Sequence, residues 1–258
     1  MTLKEALRTR TPTFGSWVSF PLEMSAEIMA RAGFEWLVLD MEHAPIDFAD
    51  AARLVRVIDL CGIPALCRLP SNDAVLAKRV LEAGAAGIIV PSIESGEEAK
   101  RAVDGAYYPP AGRRGVGLSR AQGYGYGLDE YRVRLEREMI VIAMIETAAG
   151  VEAADAIVRT PGIDAILIGP YDLSASLGVI GQLDHPRVTE AVRRVSAAAA
   201  AAGITSGAHI VHFSDTNLAA ARDAGHTFLA LGVDQIFLGE ASRRAVAAAR
   251  TQLGARQA

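Results

Sequence analysis

The chain has 258 residues, 51% of them hydrophobic, and a net charge of −4. Length and apolar content suit one large core and exclude a disordered chain, and the acidic balance argues against a nucleic-acid surface. No apolar run reaches the ~18 residues of a membrane span, the charged amphipathic start lacks a signal-peptide core, and Cys61 and Cys67 without metal-site spacing suit a reduced, cytoplasmic chain.

Strand-like and helix-like segments alternate along the chain. Residues 14–20 read as a first strand, with a helix over 24–32 that stops at Gly33. Residues 35–40 make the second strand and Phe48–Leu60 its helix, ended by Gly62. A short third strand over 64–68 leads to a helix over 73–83, with Ser71 or Asn72 as the expected cap. Residues 87–91 are the fourth strand and Gly96–Ala106 the next helix. The stretch 107–131 is rich in Gly, Pro, Tyr and Arg and lacks periodicity, which suits a functional or interface loop. A fifth strand over 139–145 precedes a helix over 148–159, and 164–168 is the sixth strand. A long helix over 184–202 stops at Gly203, and 204–208 is the seventh strand with a helix over 215–224. Residues 227–231 make the eighth strand and 235–253 an alanine-rich last helix.

Eight such alternations without a composition break predict one domain over residues 1–258, a single (β/α)8 TIM barrel of α/β class. An open doubly wound sheet is the alternative. The strand count and the absence of a Gly-rich dinucleotide fingerprint after strand one weigh against it.

In a barrel the C-terminal strand ends share one mouth. Strand two delivers Asp40, Glu42 and His43 there, strand three Arg68, strand five Glu146, strand six Asp172 just past Gly169 and Pro170, and strand seven His209. Glu146 and Asp172 come from adjacent strands, whose axes lie ~4.8 Å apart, so they would repel unless a cation or a proton neutralises them. All-oxygen ligation suits Mg²⁺ or Mn²⁺. An acid–base pair of the glycosidase kind is the alternative, but no sugar-stacking aromatics accompany it. Asp40 is close enough in sequence to orient the His43 imidazole, and Arg68 offers a fixed cation to an oxyanion. A base on one side, a metal on the other and an arginine between them suit proton abstraction next to a carbonyl. The only lysines are Lys4 at the terminus and Lys78 and Lys100 in outer-helix patterns, which argues against a Schiff-base mechanism.

Over nearly its whole length the chain resembles the HpcH/HpaI family of metal-dependent pyruvate aldolases. The resemblance rests on GSWVS, AGFEWLVLDMEHAP, LEAGAAGIIVP, YYPPAGRRGVG, MIET, GPYDLSASLG and LALGVD taken together. It implies a TIM barrel, usually in a hexamer (a trimer of dimers) that exchanges its last helix. It implies reversible aldol chemistry between pyruvate and an aldehyde in aromatic-compound or sugar-acid catabolism. The cofactor implied is a divalent ion, Mg²⁺ or Mn²⁺, with Co²⁺ or Zn²⁺ as alternatives.

By position, Glu146 and Asp172 would hold the metal, and His43 would be the base with Asp40 assisting. Arg68 would stabilise the enolate oxygen. Backbone N–H groups at Tyr171 and Asp172 would hold the pyruvate carboxylate, and Trp17 would line the pocket. The chain departs from the family pattern at three positions. Met144 stands where a Gln is frequent, Tyr171 where Ala or Ser is frequent, and Glu82 where an Asp raises the basicity of the histidine. Glu82 falls at the bottom of its own barrel and would reach a mouth only in a neighbouring subunit. His209 has no standard role; a rim position and a substrate contact both fit. The expected activity is cleavage of 4-hydroxy-2-oxo acids to pyruvate and an aldehyde. An oxaloacetate decarboxylase on the same site is the alternative. A coenzyme A thioester lyase and a non-catalytic oligomeric binding barrel are weaker readings.

Overall fold

The computed structural model describes residues 1–253; the last five residues of the expected 1–258 domain lie outside the described residues. The first elements are α1 (Leu3–Thr9), β1 (Thr13–Val18), α2 (Glu23–Arg31), β2 (Leu37–Asp40), α3 (Phe48–Leu60), β3 (Ala65–Arg68), α4 (Ala74–Ala83), β4 (Gly87–Val90) and α5 (Gly96–Ala106). After a 3-10 turn over Arg120–Gly125 come α6 (Leu128–Glu138), β5 (Ile140–Ile145), α7 (Ala148–Glu152), α8 (Ala154–Val158), β6 (Ala165–Ile168) and α9 (Pro170–Ser176). The chain then continues through α10 (Pro186–Ala202), β7 (Thr205–Ile210), α11 (Asp215–Asp223), β8 (Phe228–Val233) and α12 (Asp234–Leu253). The eight strands are parallel and close in sequence order, as the alternation predicts.

Local chemistry accounts for the boundaries. Asp47 caps α3 in a reciprocal box with Asp50, and Gly84 and Gly203 end α4 and α10 in the left-handed conformation that glycine adopts without strain. The cap of α4 is Asp73, in place of the expected Ser71 or Asn72, because its carboxylate reaches the N–H groups of both Val75 and Leu76. The expected helix over 148–159 is broken at Ala153 into α7 and α8. Helix α6 begins inside the stretch expected to be a loop. It buries only Tyr131 and Leu135, a seam too thin to show as periodicity in a polar segment.

The barrel interior is filled from below. Trp36 stacks on Phe228 with ring centroids 3.9 Å apart, and Leu7 of α1 joins the same interior cluster. A second, larger layer packs the strands' outer faces against the helices. Lys4 is anchored at this closed end by an ion pair to Asp164 at 3.1 Å and a hydrogen bond to the Tyr107 hydroxyl at 2.9 Å. Lys78 and Lys100 sit on α4 and α5, so no lysine enters the mouth. Helix α12 buries only Asp234 among its described side chains, and no described helix is long and apolar enough to cross a membrane.

Candidate active site

The ends of β2 and β3 are in register, which sets Asp40 beside Arg68. The Asp40 carboxylate accepts from Arg68 Nε at 3.1 Å and Nη2 at 2.6 Å. It also accepts from the backbone N–H groups of Glu42 at 3.1 Å and His43 at 3.0 Å. Its oxygens are therefore spent on the arginine and the turn. The expected contact between Asp40 and the His43 imidazole is not formed, and Asp40 positions His43 through the backbone. Glu42, left without a role by the sequence, has its Oε2 3.8 Å from His43 Nε2 and 3.3 Å from Arg68 Nη1. The Arg68 guanidinium lies over the Trp17 ring, 4.5 Å from its centroid.

Burial acts to raise the Asp40 carboxyl, but the hydrogen bonds and charge of Arg68, with the His43 and Glu42 N–H groups, hold it below the usual range. Asp40→Asn removes one charge of a buried pair and is expected to cost about 3 kcal/mol at neutral pH, read from urea unfolding. A carboxylate with a lowered folded-state pKa stabilises above its unfolded value and loses that contribution as pH falls through the folded one. The gap between the two proteins should therefore narrow in acid; a gap independent of pH would contradict the pairing.

Glu146 follows β5 and is 3% exposed. Its Oε1 accepts from the Ser92 N–H at 2.8 Å and from the Ser92 hydroxyl at 3.1 Å, while Oε2 is buried without a partner. Burial pushes the Glu146 carboxyl up, and the charge of Asp172 adds to this. Glu42 Oε2 is likewise buried with no hydrogen-bond donor, and burial followed by the charges of Glu146 and Asp40 raises that carboxyl against the pull of Arg68. Gly169 is required here, since a Cβ would stand 2.5 Å from Glu146 Oε2. Ser92 was missed by sequence reasoning. Its signal is its place directly after strand four, and the structure holds it at φ 50, a strained value for a residue with a Cβ. Glu42 Oε2 already faces the Arg68 cation at 3.3 Å, whereas Glu146 Oε2 has no ion pair among the described residues, and a buried carboxylate oxygen without a donor is costly unless a cation meets it. Hard oxygen donors of this kind suit a divalent ion. Among the described residues no group of three His, Cys, Asp or Glu side chains forms a metal cage.

A cavity of about 350 Å³ joins the two sides; Trp17, His43, Arg68, Met144, Gly169, Pro170, Tyr171, Asp172 and His209 all line it. Met144 Sδ is 4.0 Å from Arg68 Nη1, a weak acceptor. Asp172 is in the first turn of α9, where the N–H groups of Tyr171 and Asp172 have no acceptor among the described residues. Tyr171 stands 51% exposed at the rim. His209 Nε2 is 3.0 Å from the Gly232 carbonyl oxygen. A carbonyl only accepts, so Nε2 carries the proton and Nδ1 keeps its lone pair. Burial, with the charge of Arg68 in support and the Gly232 bond opposed, pushes the His209 pKa down to about 4, so the ring is neutral.

Glu82 is not brought to this mouth. It lies near the end of α4 at the opposite face, with Oε1 2.9 Å from where a Cβ on Gly117 would stand. A larger groove of about 620 Å³ also lies at that face, among Gly84, Arg120, Tyr124 and Arg134. It holds none of the strand-end carboxylates, whereas the smaller cavity holds Asp172.

The HpcH/HpaI aldolase/citrate lyase model matches residues 13–241 of this barrel. The chain belongs to the HpcH/HpaI family. It is 40% identical over 256 residues to a hydroxypyruvate/pyruvate aldolase of Paraburkholderia phytofirmans, across 96% of this chain and 97% of that protein. It is 36% identical over 232 residues to a 5-keto-4-deoxy-D-glucarate aldolase of Escherichia coli, across 90% of each. The crystal structure of an HpcH/HpaI aldolase/citrate lyase family protein from Burkholderia cenocepacia superposes with a TM-score of 0.91 at 36% identity, covering 96% of this chain and 98% of that one. Membership of the HpcH/HpaI family makes the chain a carbon–carbon lyase of aldolase type.

Proposed function

We propose that the chain is a divalent-metal-dependent aldolase that reversibly cleaves 4-hydroxy-2-oxo acids to pyruvate and an aldehyde. The observation that carries this reading is Glu146 Oε2, a buried carboxylate oxygen without a donor, with the Asp172 carboxylate near enough for its charge to act on it. Glu146 and Asp172 would hold the ion, Mg²⁺ or Mn²⁺, which when bound supplies Lewis-acid polarisation of the 2-oxo group.

The chain's own groups do the rest. The N–H groups of Tyr171 and Asp172 hold the substrate carboxylate at the start of α9. Arg68 Nε and Nη2 are committed to Asp40, so Nη1, facing only Glu42 and the Met144 sulfur, is the donor available to an enolate oxygen. His43, 57% exposed and on the wall of the cavity, takes the proton of the 4-hydroxyl. The C3–C4 bond then breaks, its electron pair passes into the enolate, the aldehyde departs, and the enolate takes at C3 the proton that His43 holds. Trp17 and Met144 give this centre apolar walls that limit water.

Glu82 enters the reaction only if a second copy brings it to the mouth, so an oligomer is part of the proposal. The exposed Leu238 and Leu253 of α12 support an exchanged last helix. A monomeric mass in solution would remove both points. Oxaloacetate decarboxylation would use the same enolate-stabilising groups and is the second reading, because Met144 lines the cavity with a thioether where the family resemblance expects an amide. The deciding assay follows pyruvate release from 4-hydroxy-2-oxo acids and from oxaloacetate, before and after chelation and after Mn²⁺ is returned. Retro-aldol turnover is expected to vanish with chelation and to recover with Mn²⁺. Turnover indifferent to chelation, or confined to oxaloacetate, would overturn the proposal.

A further inference from the structure

A second cavity of about 400 Å³ opens on the far side of Trp17, Arg68 and His209, and it shares His43 with the first. Phe20, Pro45, Val233 and Ile236 give it apolar walls. Of its polar groups, the exposed Gln235 amide has no side-chain partner among the described residues, and most of the others are committed. The Ser19 hydroxyl donates to Asp234, and Asp40 and Arg68 are paired with one another. Arg68, the one arginine of the wall, also faces Glu42, and no lysine lines the cavity. His209 Nδ1, in contrast, has no partner among the described residues, and its lone pair is fixed by the Nε2–H bond to Gly232.

We propose that this second cavity is the electrophile subsite and that it selects an uncharged aldehyde with a hydroxyl group next to its carbonyl, whose O–H donates to His209 Nδ1. The proposal rests on the aldolase reading. The wall common to both cavities is where the enolate carbon and the aldehyde carbon must meet. In the synthetic direction the new C–C bond forms there, the carbonyl π pair moves to oxygen, and that oxygen takes the proton held by His43. A hydroxyl one carbon further on then lies against a wall that carries His209. An aldehyde acid finds the opposite environment. Its carboxylate would enter beside Asp40, with the single arginine of the wall already paired to Asp40 and facing Glu42, and a buried charge without a partner is strongly disfavoured. Discrimination follows from the unmet charge and from the fixed acceptor that His209 Nδ1 presents on the shared wall.

The test uses the intact protein with Mn²⁺ and pyruvate and two matched pairs of aldehydes. Glycolaldehyde against propanal exchanges a hydroxyl for a methyl; pentanal against succinic semialdehyde exchanges a neutral end for a carboxylate. Glycolaldehyde is expected to exceed propanal in kcat/KM by about tenfold, the worth of one hydrogen bond, and pentanal to exceed succinic semialdehyde by at least as much. His209→Leu should erase the first preference and His209→Asn, which keeps an acceptor, should retain part of it. Preference for succinic semialdehyde, or a hydroxyl preference that survives His209→Leu, overturns the assignment. Deuterium exchange into the pyruvate methyl without aldehyde separates the two levels. Without exchange in the unmodified protein the aldolase reading falls and takes this one with it; exchange with no aldehyde preference removes the subsite alone.

Discussion

Replacing Glu146 with Gln is expected to lower retro-aldol turnover by about a thousandfold, or about 4 kcal/mol of transition-state stabilisation. The fold should survive, because the amide oxygen of Gln can still accept the Ser92 N–H and hydroxyl that hold Glu146 Oε1 at 2.8 and 3.1 Å. The other end changes in kind. A donor-less carboxylate oxygen becomes an NH₂ group, which cannot ligate a hard cation. Turnover, Mn²⁺ affinity and far-ultraviolet circular dichroism measured together separate loss of the ion from loss of the fold. A variant that folds, binds Mn²⁺ as before and turns over normally contradicts the assignment of Glu146.

His43→Ala is expected to slow exchange of the pyruvate methyl protons by between a hundredfold and ten-thousandfold, the usual range for a positioned acid–base group. Mn²⁺ binding should persist, since His43 lies on the β2 side of the cavity and Glu146 and Asp172 follow β5 and β6. Glu42→Gln should produce a smaller loss, because its Oε2 stands 3.8 Å from His43 Nε2, beyond a hydrogen bond, and acts on the ring by charge alone. Exchange unchanged in His43→Ala would show that another group carries the proton.

The barrel was legible because parallel strands buried on both faces read as continuous apolar runs, and each ends in residues that cannot stay in the core. Leu37–Asp40 and Ile140–Ile145 show this, the first ending in Asp40 and the second followed by Glu146. The same rule picked out His43, Arg68, Asp172 and His209, which line one cavity together with the Trp17 that the family resemblance supplied. Side-chain pairing was not legible. Only two residues separate Asp40 from His43, yet Arg68, remote in sequence, claims the Asp40 carboxylate because strand register sets the two side by side. Ser92 escaped notice since a serine after a strand is commonplace, and only the fold shows it holding Glu146. Helix α6 escaped because it rests on the barrel through Tyr131 and Leu135 alone.

The central claim is that Glu146 and Asp172 hold a divalent ion where pyruvate binds. A crystal of the protein grown with Mn²⁺ and pyruvate, with anomalous scattering recorded at the manganese edge, measures this directly. The account predicts one anomalous peak between Glu146 and Asp172, with the pyruvate carboxylate against the N–H groups of Tyr171 and Asp172 and its 2-oxo oxygen toward Arg68. A peak elsewhere, or pyruvate bound there with no manganese beside it, contradicts it.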